Sequence, residues 1–214
     1  FSENCGIIGG TANHIGPHTT ASMIGAGNQN RVEYSFRSVI GGGKYNLVDN
    51  AYSSGIFTGF QNYIDGYYNY CAAIVAGHYN HIFGVAYPGS FNSVIAGGGY
   101  NSIGNKYGLN SVQYGFIGAG RHNWLKQGDN TGIIAGEYNT IDNAYRSMIG
   151  AGYKNNIQNG AYESAIIAGR SNSTNGFNTL IGSGIGNTID QCDLGVICGG
   201  FRNTINYKIG RAHV

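Results

Sequence analysis

Apolar and polar positions alternate along this chain in one short phrase, repeated with little variation. An isoleucine stands three residues before a glycine and an asparagine three residues after it, as in "SVIGGGKYNLV", where these are Ile40, Gly43 and Asn46. The anchor glycines run Gly10, Gly27, Gly43, Gly59, Gly77, Gly98, Gly120, Gly136, Gly152, Gly169, Gly184 and Gly200, making twelve copies. Most spacings are 15 to 18 residues; the two that flank the sixth copy are 21 and 22. Two residues after the asparagine comes an aliphatic side chain, from Ile15 and Val32 to Ile205, with Thr174 the one exception.

Short Ile/Val segments broken by glycine at this period predict an all-β fold, a parallel β-solenoid (β-roll or β-helix) of about 12 coils of about 16 residues without significant helix. Each coil supplies one or two short strands, and coils stacked about 4.8 Å apart make a rod roughly 55 Å long. Residues 1–208 form this single repeat domain. The last six residues, "IGRAHV" (Ile209–Val214), break the pattern and match one reading frame of a common sequencing adapter, so they are read as an artefact tail.

Strand alternation assigns faces. The small residue five before the glycine (Ser22, Ser38, Ser93, Ser147) is expected inside with the isoleucine and with the small residue just before the glycine. The aromatic residue seven before the glycine (Phe36, Tyr52, Tyr70, Phe91, Tyr145, Tyr162, Phe177) is expected inside as a corner stack. The asparagine amide is expected to satisfy backbone groups at the turn. Tyr45, Tyr79, Tyr100 and Tyr138, between glycine and asparagine, read as a packing ladder on that turn.

The opposite strand face comprises a leading column, four before the glycine, and a trailing column, two before it. Each copy puts one large apolar residue on this face: Ile8, Met23, Val39, Phe57, Val75, Val94, Phe116, Ile134, Met148, Ile167, Leu180 and Val196. When the leading residue is large, the trailing one is Gly, Ala or Cys; when the leading residue is Gly or Ala, the trailing one is large. Such a face either lines a flattened core or packs against another chain. The second reading is the expectation: a homo-oligomer, trimer or filament, with these twelve residues at the interface.

Segments such as "SVIGGGKYN" and "SMIGAGYKN" resemble the head repeats of trimeric autotransporter adhesins and related phage tail-fibre repeats. The resemblance implies a β-roll that trimerises through apolar strand faces, with binding surfaces outside. Coils here are longer than that family's and carry an aliphatic residue after the asparagine.

Composition narrows the function. The chain has 38 glycines, two prolines, 10% charged residues and net charge +2. That balance gives no basic patch for nucleic acid, and no apolar run reaches the roughly 20 residues of a membrane-spanning helix. We expect no catalysis, cofactor or metal. Acidic residues such as Asp49, Asp65, Glu137 and Asp142 form no paired motif. The histidines His14, His18, His78, His81, His122 and His213 read as turn or terminal residues; His78 and His81 could share a metal, but a solvated turn is the reading adopted. Cys192 and Cys198 could meet across one turn, and Asn172-Ser173-Thr174 is a glycosylation sequon on a ladder position.

The two long copies carry "FGVAYPGS" (Phe83–Ser90) and "GNKYGLNSVQY" (Gly104–Tyr114), where Tyr87, Tyr107 and Tyr114 are candidate ligand-loop residues for surface glycans. The expected function is a structural or adhesive fibre subunit, extracellular or on a cell or virion surface. The alternatives are an ice-binding solenoid, for which the ten threonines show no outward ladder, and a carbohydrate-binding adhesin surface.

Overall fold

In the computed structural model, which describes residues 2–66, 69–84, 91–104 and 112–206, the repeated phrase becomes a coil. The chain is a parallel β-solenoid. Every strand pair is parallel, and two twelve-stranded sheets run the length of the molecule. The first sheet holds the segment ending at the isoleucine, from Gly6–Ile7 to Val196–Ile197. The second holds the segment after the asparagine, from His14–Ile15 to Thr204–Asn206. A third side is thinner, with two-stranded patches pairing Ala51–Tyr52 with Asn69–Tyr70 and Val112–Gln113 with Gly128–Asp129.

Register follows the sequence repeat. Ile24 pairs with Ile40 and Ile40 with Ile56; Val32 pairs with Val48 on the second sheet. Like residues therefore stack, and the interior is two facing files of aliphatic side chains, with Ile40, Ile133, Val48 and Ile141 fully buried.

The turn between the sheets needs both anchor residues. Gly136 has φ +95°, and a Cβ there would sit 2.3 Å from the Gly152 carbonyl of the next coil. Only glycine permits that approach. Three residues on, the fully buried Asn139 closes the turn. Its Nδ2 donates to the Ala135 carbonyl (3.3 Å), the Gly152 carbonyl (3.0 Å) and Asn123 Oδ1 (3.1 Å), while its Oδ1 accepts the Asn155 N–H (3.0 Å). The backbone link from each asparagine to the next coil's continues unbroken from Asn13 to Asn203. The expected amide ladder is therefore present. Inside the first sheet the serine file does similar work: Ser22 Oγ accepts the Ser38 N–H (3.0 Å) and Ser147 Oγ the Ser164 N–H (3.2 Å).

Two assignments to the interior fail. The aromatic residues seven before the glycine point outward, with Tyr52 41% and Phe177 50% exposed. The residue between them and the inner serine is left-handed, as at Arg37 (φ 53°) and Arg146 (φ 49°). That turn cancels strand alternation, so residues on either side of it no longer share a face. The interior is filled one residue earlier by small side chains: Ser35, Ala51, Ala144, Ala161 and Cys192. The small residue before the anchor glycine is also not interior; Ala26 is exposed and Ala135 half-buried. It sits on the corner, where its carbonyl receives the asparagine amide. The tail at 209–214 lies outside the described residues.

Candidate functional site: an apolar outer face and its flanks

The outer face of the first sheet follows from the alternation that buries the isoleucines. Ten of its twelve large apolar residues are exposed, among them Ile8 (76%), Phe57 (61%) and Ile134 (49%); Val39 and Val94 are half-buried. The flattened-core alternative is thereby excluded, because these side chains lie on the surface. Divided between the leading and trailing columns, they make an apolar strip along the whole rod. Backbone geometry explains part of the reciprocity. A Cβ at trailing Gly41 would stand 2.5 Å from the Phe57 carbonyl, and one at Gly150 2.4 Å from the Ile167 carbonyl. A Cβ at leading Gly55 or Gly132 would stand 3.3 Å from the Val39 carbonyl or 3.6 Å from the Phe116 carbonyl, so backbone crowding is much weaker in that column.

The rims of this face are more polar. Arg146 and Glu163 pair across coils at 3.1 Å on one rim. The turn opposite carries three of the four tyrosines of the expected ladder with a histidine added to them, while Tyr45 packs edge-on against Phe60. Tyr79, Tyr100, His122 and Tyr138 stack with ring centroids 4.8, 4.9 and 4.7 Å apart. The three tyrosines have φ between 55° and 57°. Non-glycine residues reach that region rarely, and Gln29, Lys154 and Ser171 reach it at the same repeat position, so the turn rather than the rings sets it. The outward aromatic row makes a shorter stack, Tyr52–Tyr70 at 5.0 Å and Tyr70–Phe91 at 5.1 Å.

The second sheet's outer face has a mixed first row: Arg31, Leu47, Tyr63 and His81, then Ser102, Trp124, Thr140, Asn156, Ser173, Thr188 and Thr204. Three threonines thus share one outward row, a partial ladder that the sequence reading did not assemble. His14 and His81 stand on strands rather than turns, a correction to their assignment. His81 Nε2 lies 2.6 Å from Asp65 Oδ1, while the His78 ring packs edge-on to Tyr79 and Tyr100. His213 lies outside the described residues. Among the described residues no group of three or more His, Cys, Asp or Glu could hold a metal ion.

Two residues further along the same strands, Glu33 pairs with Asp49, and Asp65 continues the file one coil on. Acidic residues at one repeat position, 16 residues apart, are therefore brought together. The repeat register could have found them. Burial pushes the Asp49 carboxyl above its ordinary value of 3.8, with the negative charges of Glu33 and Asp65 adding to the rise and hydrogen bonding from Asn50 opposing it. Asp49 Oδ1 is buried with no hydrogen-bond partner among the described residues.

Between the tyrosine ladder and the second sheet lies an open groove of about 290 Å³, lined by Tyr100, Ser102, His122, Asn123, Trp124, Tyr138 and Thr140. The Trp124 indole is fixed by its Nε1–H, which donates to the Gly104 carbonyl (2.9 Å), and the Lys126 ammonium sits 4.6 Å from its ring centroid. Ser102 Oγ is buried in this groove without a partner among the described residues.

The remaining sequence candidates separate. Tyr114 is 54% exposed with φ 54°, on the third side; Tyr87 and Tyr107 lie outside the described residues. Cys192 lies inside the wall and Cys198 outside it, so the pairing considered for them is not made. Asn172 is fully buried and its amide is bonded to Ala168, Gly184 and Asn155, which leaves no nitrogen for a glycan. No protein-family model matches the chain, and no curated protein does.

Proposed function

We propose that the protein is a structural or adhesive fibre subunit, extracellular or on a cell or virion surface, that oligomerises through its apolar outer face and carries out no catalysis. The observation behind this reading is the strip of twelve large apolar residues, ten of them exposed, along one side of the rod. Contiguous exposed apolar surface of this length marks an interaction site in a stable protein. At roughly 25 cal/mol per Å² its burial strongly favours association. The partner is a second copy of the chain. Light scattering across a dilution series is expected to give a stable multiple of the monomer mass; a monomer throughout would sink the proposal.

A second reading, a carbohydrate-binding surface, is favoured by the groove at Trp124. An immobilised indole in an open groove shared with Tyr100 and Tyr138 supplies the apolar platform on which a sugar ring stacks. Trp124 is the sole tryptophan, so its fluorescence reports this groove alone. Titration with methyl β-galactoside and methyl β-glucoside is expected to shift the emission saturably, and an unchanged spectrum with both would remove the reading. The ice-binding alternative draws on only the row Thr140, Asn156, Ser173, Thr188 and Thr204, which gives way to Trp124 and His81 in earlier coils.

A further inference from the structure

The apolar face carries more information than its hydrophobicity. Each coil holds one large residue and one small one, in either order between the leading and trailing columns. We infer that this face pairs with the same face of a second copy in a parallel, in-register dimer, its two-fold axis running along the rod over the isoleucine file. The inference rests on the proposed oligomeric role and names its partner, symmetry and register.

The argument is geometric. A two-fold axis parallel to the rod reverses strand direction but keeps coil level. It therefore sets the leading column of one copy against the trailing column of the other, within the same coil. Val94 then meets Ala96 of the opposing copy, and Val75 meets Ala73. Because large and small are reciprocal within every coil, each knob finds a hole, whatever the order of coils along the rod. No other simple arrangement has this property. A two-fold axis across the rod sets each column against itself and coil order reversed. Centred on the rod, it would drive Val94 against Phe116 and Phe57-type trailing residues against one another at Val75 and Ile134. A three-fold axis cannot lay two whole faces together.

Reciprocity also has no complete explanation within one chain. Backbone crowding enforces smallness at trailing Gly41 and Gly150, but a Cβ at leading Gly55 or Gly132 would come no closer than 3.3 or 3.6 Å to the carbonyl of the preceding coil. Ala73 and Ala96 already carry a Cβ. Size is an issue there only if something packs against the face. The available area agrees: a strip about 55 Å long and about 10 Å wide gives about 550 Å² per copy, or about 1,100 Å² in total, just above what a specific dimer needs. The apolar centre and the charged rim at Arg146 and Glu163 have the anatomy of such an interface.

The test sets two effects against each other. Ala96→Val adds apolar surface, so a merely sticky face would associate more tightly. In the parallel dimer it fills the hole that receives Val94, twice per dimer. Sedimentation equilibrium of the full chain is expected to give a dimer mass for the wild type and about tenfold to a hundredfold weaker association for A96V. The double variant V94A/A96V moves the knob to the other column, restores reciprocity and should return to within about threefold of wild type. Ala73→Val with A73V/V75A repeats the cycle in the preceding coil; both sites face outward, and circular dichroism confirms that each variant folds. Tighter binding by A96V is what the crosswise axis requires, since Ala96 would then face Gly118, and that result overturns the parallel dimer. Unchanged binding by both A96V and A73V, or a trimeric or open-ended mass, overturns it as well while leaving the oligomer reading standing. A wild type that is monomeric at all concentrations removes both.

Discussion

At the scale of single residues, one carboxylate gives the sharpest expectation. Asp49 stands between Glu33 and Asp65 in a file about 4.8 Å per step, and burial and like charge raise its pKa above 3.8. A carboxyl raised on folding contributes stability that is fully present below the unfolded value of 3.8 and is lost as pH rises through its folded value. At neutral pH its charge is therefore a cost. Asp49→Asn should raise the melting temperature at pH 7, and the gain should shrink toward pH 3; equal melting shifts at both pH values would contradict the assignment. The sequence contained this file, since residues 33, 49 and 65 share a repeat position, but reading the acids along the chain rather than across coils hid it.

At the scale of elements, the turn is held by a ladder rather than by separate caps. Asn139→Ala would leave the Asn155 N–H and the Ala135 carbonyl unpaired in a buried turn, and would take the side-chain bond from the Gly152 carbonyl and Asn123 Oδ1, which keep their backbone donors. Each buried polar group left unpaired costs about 1–3 kcal/mol, so a loss of about 3 kcal/mol or more is expected in chemical denaturation. A change under about 1 kcal/mol would mean that water replaces the amide. Strand faces were legible wherever the backbone stays extended: Ile133 inside, Ile134 outside. They were misread where a left-handed residue intervenes, as at Arg146 between Tyr145 and Ser147. Arginine gives no composition signal for positive φ, so nothing local marked that corner.

At the scale of the whole molecule, solenoid stability is a sum of coil and neighbour terms, and the outer face couples all twelve at once. Ile134→Asp places a charge at the middle of that face, where Ile134 is 49% exposed and lies outside the buried core. The variant should keep the wild-type circular dichroism spectrum and fall to monomer mass in light scattering. Retention of the wild-type mass would locate the association elsewhere, at the tyrosine ladder or the second sheet.

By itself the sequence determined the period, the parallel stacking, the isoleucine and asparagine files and the reciprocal outer columns. All of these follow from identical residues meeting at identical positions in successive coils. Only the tertiary structure decided which side of the wall each corner residue takes. It turned Tyr52 and Phe177 outward, set Ser35 and Ala51 inside, and gathered Trp124, Ser102 and the tyrosine ladder around one groove. The physical reason is that side-chain alternation holds along an extended strand but is reset at every left-handed turn. The repeat alone therefore ranks residues along the rod, and the corner geometry decides where they point around it.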